Sequence, residues 1–221
     1  MRSGWMRRPR GRAVPVASRA MKPPFLYLAS QSPRRSQLLD QLGVVHRVFV
    51  ADATEDAEAL EAVQAGEAPR HYVQRVTALK LDAAVARLAR RGLPAAPILC
   101  ADTTVALGRQ IYGKPTDAHD AARMLAELAG TTHRVLTAVA LQSGPRRWQA
   151  LSESRVTFAP MSTAQIDRYV AGGEPSGKAG AYGIQGTAAA FIRQIAGSYT
   201  GIMGLPLYES ARMLAEAGFE V

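Results

Sequence analysis

An acid stands in the middle of an apolar run at Ile98-Leu99-Cys100-Ala101-Asp102-Thr103-Thr104-Val105, and this feature constrains the fold more than any other. Residues 97–107 are apolar and partly β-branched, which predicts a buried strand or a pair of strands interrupted at Asp102. A carboxylate in such a setting is costly unless it lies at a strand end, is paired, or meets a metal ion. An acid at the end of a buried strand suits metal binding or proton transfer at a sheet edge. The same residue could merely cap a turn, and the residues alone leave both readings open.

The rest of the chain supplies the layers such a strand requires. Phe25–Ala29 reads as a second buried strand, followed by a serine-rich turn and a helix with Ser32 as N-cap and Pro33 as its first residue. That helix carries Leu38, Leu39 and Leu42 and stops at Gly43. Residues 44–50 read as a strand, 52–68 as an acidic loop with a short helix, and 69–91 as the longest helix, with Tyr72, Val76, Leu79 and Ala83 recurring at helical spacing. Gly108–Pro115 reads as a tight turn, and 117–129 as a helix with Ala121, Met124, Leu125 and Leu128 facing inward. Strands are expected at 135–141, 153–158 and 188–195, a capping box at Ser162–Gln165, a loop at 197–204 and a final helix at 205–217. Strands and helices alternate loosely and no repeat is visible, so the expected class is α/β with a mixed central sheet and flanking helices. At 221 residues the chain accommodates one large domain or two small lobes around one cleft.

The formal net charge of +9 invites a nucleic-acid partner, but its location argues otherwise. Seven arginines and lysines and no acid precede residue 23; without them the remainder holds 20 basic against 18 acidic residues. The body is nearly neutral, so residues 1–22 are expected to be a disordered basic extension, with Met21 as a plausible true start, and residues 23–221 the folded domain. No run approaches the roughly 18 apolar residues of a membrane span. The lone Cys100 allows no internal disulfide and sits among core residues, which fits a reducing, cytoplasmic setting. The four histidines form no ligand pair at zinc spacing.

Other segments carry chemical options. Ser30-Gln31-Ser32-Pro33-Arg34-Arg35 joins a strand to a helix, where free backbone N–H groups, hydroxyls and guanidiniums together suit a phosphate; a well-capped helix with solvated arginines is the plainer alternative. Lysine is scarce, with Lys22, Lys80, Lys114 and Lys178 against 23 arginines, and a retained lysine suits a compact charge on phosphate oxygens. Gly172–Gly186 holds six glycines in fifteen residues, a density explained either by close backbone approach to a ligand or by a flexible connector. It matches neither a Walker A loop nor a dinucleotide fingerprint.

In order, Ser30-x-Ser32-Pro33-Arg34-Arg35, Ala101-Asp102-Thr103, Gly113-Lys114-Pro115, Thr132-His133-x-Val135, Val156-Thr157-Phe158, Gly180-Ala181-Tyr182-Gly183-Ile184-Gln185-Gly186 and Gly197-Ser198-Tyr199 resemble the Maf family of nucleotide pyrophosphatases from about Leu26 to the C-terminus. The resemblance implies two lobes around a deep nucleotide cleft, and hydrolysis of the α–β phosphoanhydride bond with a divalent cation, Mg²⁺ or Mn²⁺. It implies Asp102 as catalytic acid and metal ligand, Glu55 as a second acidic residue at the metal, and substrate contacts from Ser30, Ser32, Arg34, Arg35, Lys80, Thr103, Lys114 and Gln185. Thr103 and Gln185 fall on the specificity positions of the branch acting on dTTP and UTP. A Gln amide offers the donor and acceptor that a pyrimidine edge requires. A homodimer is a further expectation from the resemblance. The alternatives are a non-catalytic nucleotide-binding regulator of cell division and a pyrophosphatase for non-standard purine nucleotides.

Overall fold

The computed structural model of the chain describes residues 23–52, 55 and 59–221, so the expectation for residues 1–22 lies outside the described residues. Seven strands form one mixed sheet in the order β2-β1-β3-β5-β6-β7, with β4 beside β3. They are β1 (Leu26–Leu28), β2 (His46–Val48), β3 (Ile98–Leu107), β4 (Gln110–Tyr112), β5 (Thr132–Ser143), β6 (Arg146–Phe158) and β7 (Ile192–Ala196). β1 runs parallel to β2 and β3; the other pairings are antiparallel. The helices are α1 (Pro33–Gln41), α2 (Pro69–Arg90), α3 (Ala118–Leu128), α4 (Thr163–Ala171), α5 (Tyr199–Met203) and α6 (Leu207–Glu216). The expected α/β class with a mixed central sheet holds.

Alternation along β3 divides the core. Leu99, Ala101 and Val105 pack with Leu38 and Leu39 of α1, Leu125 and Leu128 of α3 and Leu214 of α6. Ile98 and Cys100 pack with Leu81 and Ala84 of α2, and Ala106 with Tyr72, Val73 and Val76. So α2 covers one face and α1, α3 and α6 the other. Asp102 is even-numbered and faces α2; Thr103 faces the other way. Cys100 is a fully buried thiol, pushed by burial up to about 11, as a core residue rather than a nucleophile would be.

Several elements differ from the sequence reading. β3 is a single ten-residue strand, and Asp102 lies in its middle rather than at an end. The acid is tolerated there because the sheet has a gap. β5 occupies one edge of β3 along Ile98–Ala106. On the opposite edge, β1 registers only with Ile98 and Leu99, and β4 only with Val105–Leu107. Residues 100–104 therefore have a strand partner on one side only, among the described residues, and a cleft opens there.

β5 and β6 run to 12 and 13 residues and meet in a two-residue turn, because an exposed hairpin end needs backbone pairing but no apolar side chains. Gly144 supplies the positive φ of 55° that this turn requires. The expected turn at 108–115 contains β4, and the expected loop at 197–204 contains α5, capped by the Ser198 side chain; both are too short to show periodicity. Residues 187–191 form a 3₁₀ turn before β7.

Candidate active site

The stripe of α2 that meets the sheet includes Val73, Val76, Thr77 and Ala84, while Leu79 is 37% exposed. Lys80 lies on that stripe, three residues after Thr77 and four before Ala84, so the helix aims an ammonium at the sheet. It meets Asp102 there: Lys80 Nζ donates to Asp102 Oδ1 at 2.6 Å and to Glu61 Oε1 at 2.6 Å. Lys114, in the turn after β4, donates to Glu61 Oε2 at 3.2 Å. Two carboxylates and two ammoniums thus form one network at the gap in the sheet.

Two groups of this network, Lys80 and Glu61, are shifted by their neighbours. Burial alone would lower the Lys80 ammonium, but Asp102 and then Glu61 override it and raise it above its ordinary value. Burial would raise the Glu61 carboxyl, and Lys80 and Lys114 depress it instead. The Tyr72 phenol is pushed up to about 12, first by burial and then by the negative charges of Asp102 and Glu61. Its hydroxyl donates to the Glu61 carbonyl at 2.9 Å, and Arg75 grips both oxygens of Glu67 at 2.7 Å. These bonds strap the 61–67 loop onto α2 and fix Glu61.

The glycine-rich segment forms the opposite wall. Gly180 donates to the Gly113 carbonyl at 3.0 Å and has a φ of 69°; a Cβ there would lie 2.9 Å from Val105 Cγ2. Its glycine is therefore required twice, by backbone conformation and by close approach to β3. Glu174 ties the segment together. It accepts from the Tyr169 hydroxyl at 2.9 Å and from the Thr187 amide and hydroxyl at 2.8 and 2.7 Å. Tyr182 is pinned from beneath by buried His133, with Nε2 2.8 Å from its hydroxyl. Between the walls lies a cleft of about 370 Å³.

Of the residues expected at the site, Arg34, Asp102, Thr103, Lys114 and Gln185 line this cleft. Gln185 is exposed, and its amide makes no hydrogen bond among the described residues. The Thr103 hydroxyl is already engaged by Thr137 at 2.9 Å and by Arg35 at 3.2 Å. Lys80 stands behind the two carboxylates rather than on the lining. Arg35 is also off the lining: its guanidinium donates to the Gly204 carbonyl at 2.7 Å, Ser30 Oγ at 3.1 Å and Thr103 Oγ1. Arg35 therefore ties the turn before α1 to β3 and to the turn after α5, and Ser30 serves as one of its acceptors. Ser32 is the N-cap residue of α1, though its hydroxyl makes no capping bond.

Glu55 lies outside the network of Lys80. Arg87 holds it through two hydrogen bonds of 2.8 Å and Arg90 through a third. Glu61, and not Glu55, accepts from Lys80 beside Asp102. No spacing in the acidic loop distinguishes the two; what separates them is that Arg87 lies two turns further along α2 than Lys80. Glu61, Tyr72, Glu174 and Lys178 line the cleft without having been singled out as site residues. Two signals touched Lys178: the scarcity of lysine and its place in the glycine-rich segment.

Comparison with known proteins shows the family. The family model described as "Maf-like protein" matches residues 25–217. The dTTP/UTP pyrophosphatase of Albidiferax ferrireducens is 68% identical over 197 residues, covering 89% of this chain and 98% of its own length. The dTTP/UTP pyrophosphatase of Cupriavidus metallidurans is 66% identical, covering 88% and 97%, and that of Polaromonas sp. is 64% identical, covering 89% and 98%. The chain belongs to the Maf-like protein family.

Proposed function

We propose that this protein is a nucleoside triphosphate pyrophosphatase that hydrolyses dTTP and UTP to the monophosphate and pyrophosphate. The observation that carries the proposal is the Asp102–Lys80–Glu61–Lys114 network on the wall of a cleft large enough for a nucleotide. The activity named for relatives that span nearly the whole chain supports the same reaction and the same pyrimidine substrates. Gln185, with an uncommitted amide in the cleft, supports recognition of a pyrimidine edge.

In this reading Asp102 accepts the proton of the attacking water. Lys80 holds its carboxylate in place through the 2.6 Å hydrogen bond. Arg34 and Lys114 bind phosphate oxygens, and their charge stabilises the departing pyrophosphate. The proposal includes a divalent cation, Mg²⁺ or Mn²⁺. Among the described residues no group of three or more His, Cys, Asp or Glu could hold a metal. Asp102 and Glu61, both bonded to Lys80, are two oxygen donors, which fits a hard cation that keeps waters and takes substrate oxygens, and does not fit zinc. Asp102 and Glu61 would hold the cation, which would supply charge neutralisation at the phosphates and a more acidic water. A homodimer belongs to the proposal through the resemblance and a cytoplasmic location through the lone buried thiol Cys100, and the mass in solution tests the first.

The experiment is pyrophosphate release from a panel of nucleoside triphosphates with Mg²⁺, with Mn²⁺ and with EDTA. Turnover of dTTP, UTP and close analogues that EDTA abolishes is the expected result. Turnover of purine nucleotides alone would retain the reaction and reject the role given to Gln185. Tight nucleotide binding without turnover would reject the reaction.

A further inference from the structure

Arg34, Lys114 and Lys178 all line the cleft, but their charges are not equally committed. Lys114 is paired with Glu61. Arg34 makes no ion pair among the described residues. Lys178 donates to a backbone carbonyl, that of Glu174, and to no carboxylate. The carboxylate of Glu174 itself is turned to Tyr169 and Thr187. Burial lowers the Lys178 ammonium, and the charge of Arg34 lowers it further against the weaker pull of Glu174. Two cations thus repel each other in a half-buried site, and neither is neutralised. Such an arrangement is costly, and an anion placed between them reverses the cost. The backbone makes room for it: the Lys178 side chain crosses Gly183, where a Cβ would lie 3.0 Å from Lys178 Cε.

We propose that Lys178 is a further substrate-binding residue, which together with Arg34 holds phosphate oxygens from the glycine-rich wall of the cleft. The proposal rests on the triphosphate reading above, so its test is a binding measurement that needs no turnover. Inorganic pyrophosphate is titrated by calorimetry, without metal, into the wild-type protein, Lys178→Met and Lys178→Arg. A charge-assisted contact predicts that Lys178→Met weakens binding roughly 10-fold or more, and that Lys178→Arg recovers most of the loss. With dTTP, the KM of Lys178→Met rises more than its kcat falls.

A second measurement uses only the wild-type protein and does not depend on the variant folding. The chain has four lysines, so acetylation of each can be followed by mass spectrometry. Pyrophosphate is expected to protect Lys178 from acetylation. Equal pyrophosphate affinity in wild type and Lys178→Met, no saturable binding to wild type, or unprotected Lys178 would overturn the proposal. If Lys178-dependent pyrophosphate binding is found but dTTP is not cleaved, the reaction fails while the anion site stands. If dTTP is cleaved with no dependence on Lys178, the site fails while the reaction stands.

Discussion

Glu55 and Glu61 are six residues apart in one acidic loop, yet their surroundings give them different work. Glu55 is depressed chiefly by its hydrogen bonds to Arg87, against the opposing effect of burial. Replacing it with Gln is expected to leave turnover within about twofold and to lower stability by about 1.5 kcal/mol, the scale of a hydrogen bond to a charged group. A carboxyl depressed in the folded state stabilises above its unfolded pKa, and that contribution is lost as pH falls below about 4.5. Denaturation of Glu55→Gln at pH 7 and pH 3.5 should therefore show a gap from wild type that closes in acid. Glu61→Gln should do the reverse. It leaves Lys80 with one carboxylate instead of two, and turnover is expected to fall at least about tenfold. A Glu55→Gln variant as inactive as Glu61→Gln would contradict this division. Neither assignment could be read from the sequence, because which acid reaches Lys80 depends on how the 61–67 loop is strapped to α2.

At the scale of elements, the glycine-rich segment depends on two close approaches. Gly186 has an ordinary negative φ, so its constraint is purely steric: a Cβ there would lie 2.0 Å from Glu174 Oε1. Gly186→Ala must displace the carboxylate that holds Thr187, and Gly180→Ala adds backbone strain to a clash with Val105. Each is expected to cost about 1–3 kcal/mol and to raise KM, read by thermal denaturation and by dTTP kinetics. An unchanged melting temperature in Gly180→Ala would show that the segment does not rest on β3.

The long elements were legible in the sequence. The helical spacing of α2 and α3, the capping box of α4 and the apolar run of β3 follow from periodicity and local capping. The gap between β1 and β4 was not legible, since strand register is a nonlocal property. Asp102 therefore read as a strand end when it stands mid-strand beside an open edge. Five of the residues expected at the site reach the cleft, while Arg35 and Lys80 stand one layer behind it, and only the fold separates those layers.

For the whole molecule, loss of stability in acid has an identifiable source besides the carboxylates. His133 is buried beneath the glycine-rich wall and lowered by burial to about 4, and its Nδ1 has no partner among the described residues. A base whose folded pKa lies below its unfolded value of about 6.5 leaves stability complete above pH 6.5 and erodes it as pH falls toward 4. That shift corresponds to about 3 kcal/mol across the window. Stability measured from pH 7 to pH 4 should decline with this slope, and His133→Asn should flatten it. The central claim is that the gap in the sheet forms an active site that cleaves between the α and β phosphates with Asp102 as base. Chromatography of the products from dTTP, for wild type and Asp102→Asn side by side, tests it most directly. Equimolar dTMP and pyrophosphate, with turnover at least about 100-fold lower in Asp102→Asn, is the predicted result. Formation of dTDP and phosphate, or wild-type turnover in Asp102→Asn, would contradict it.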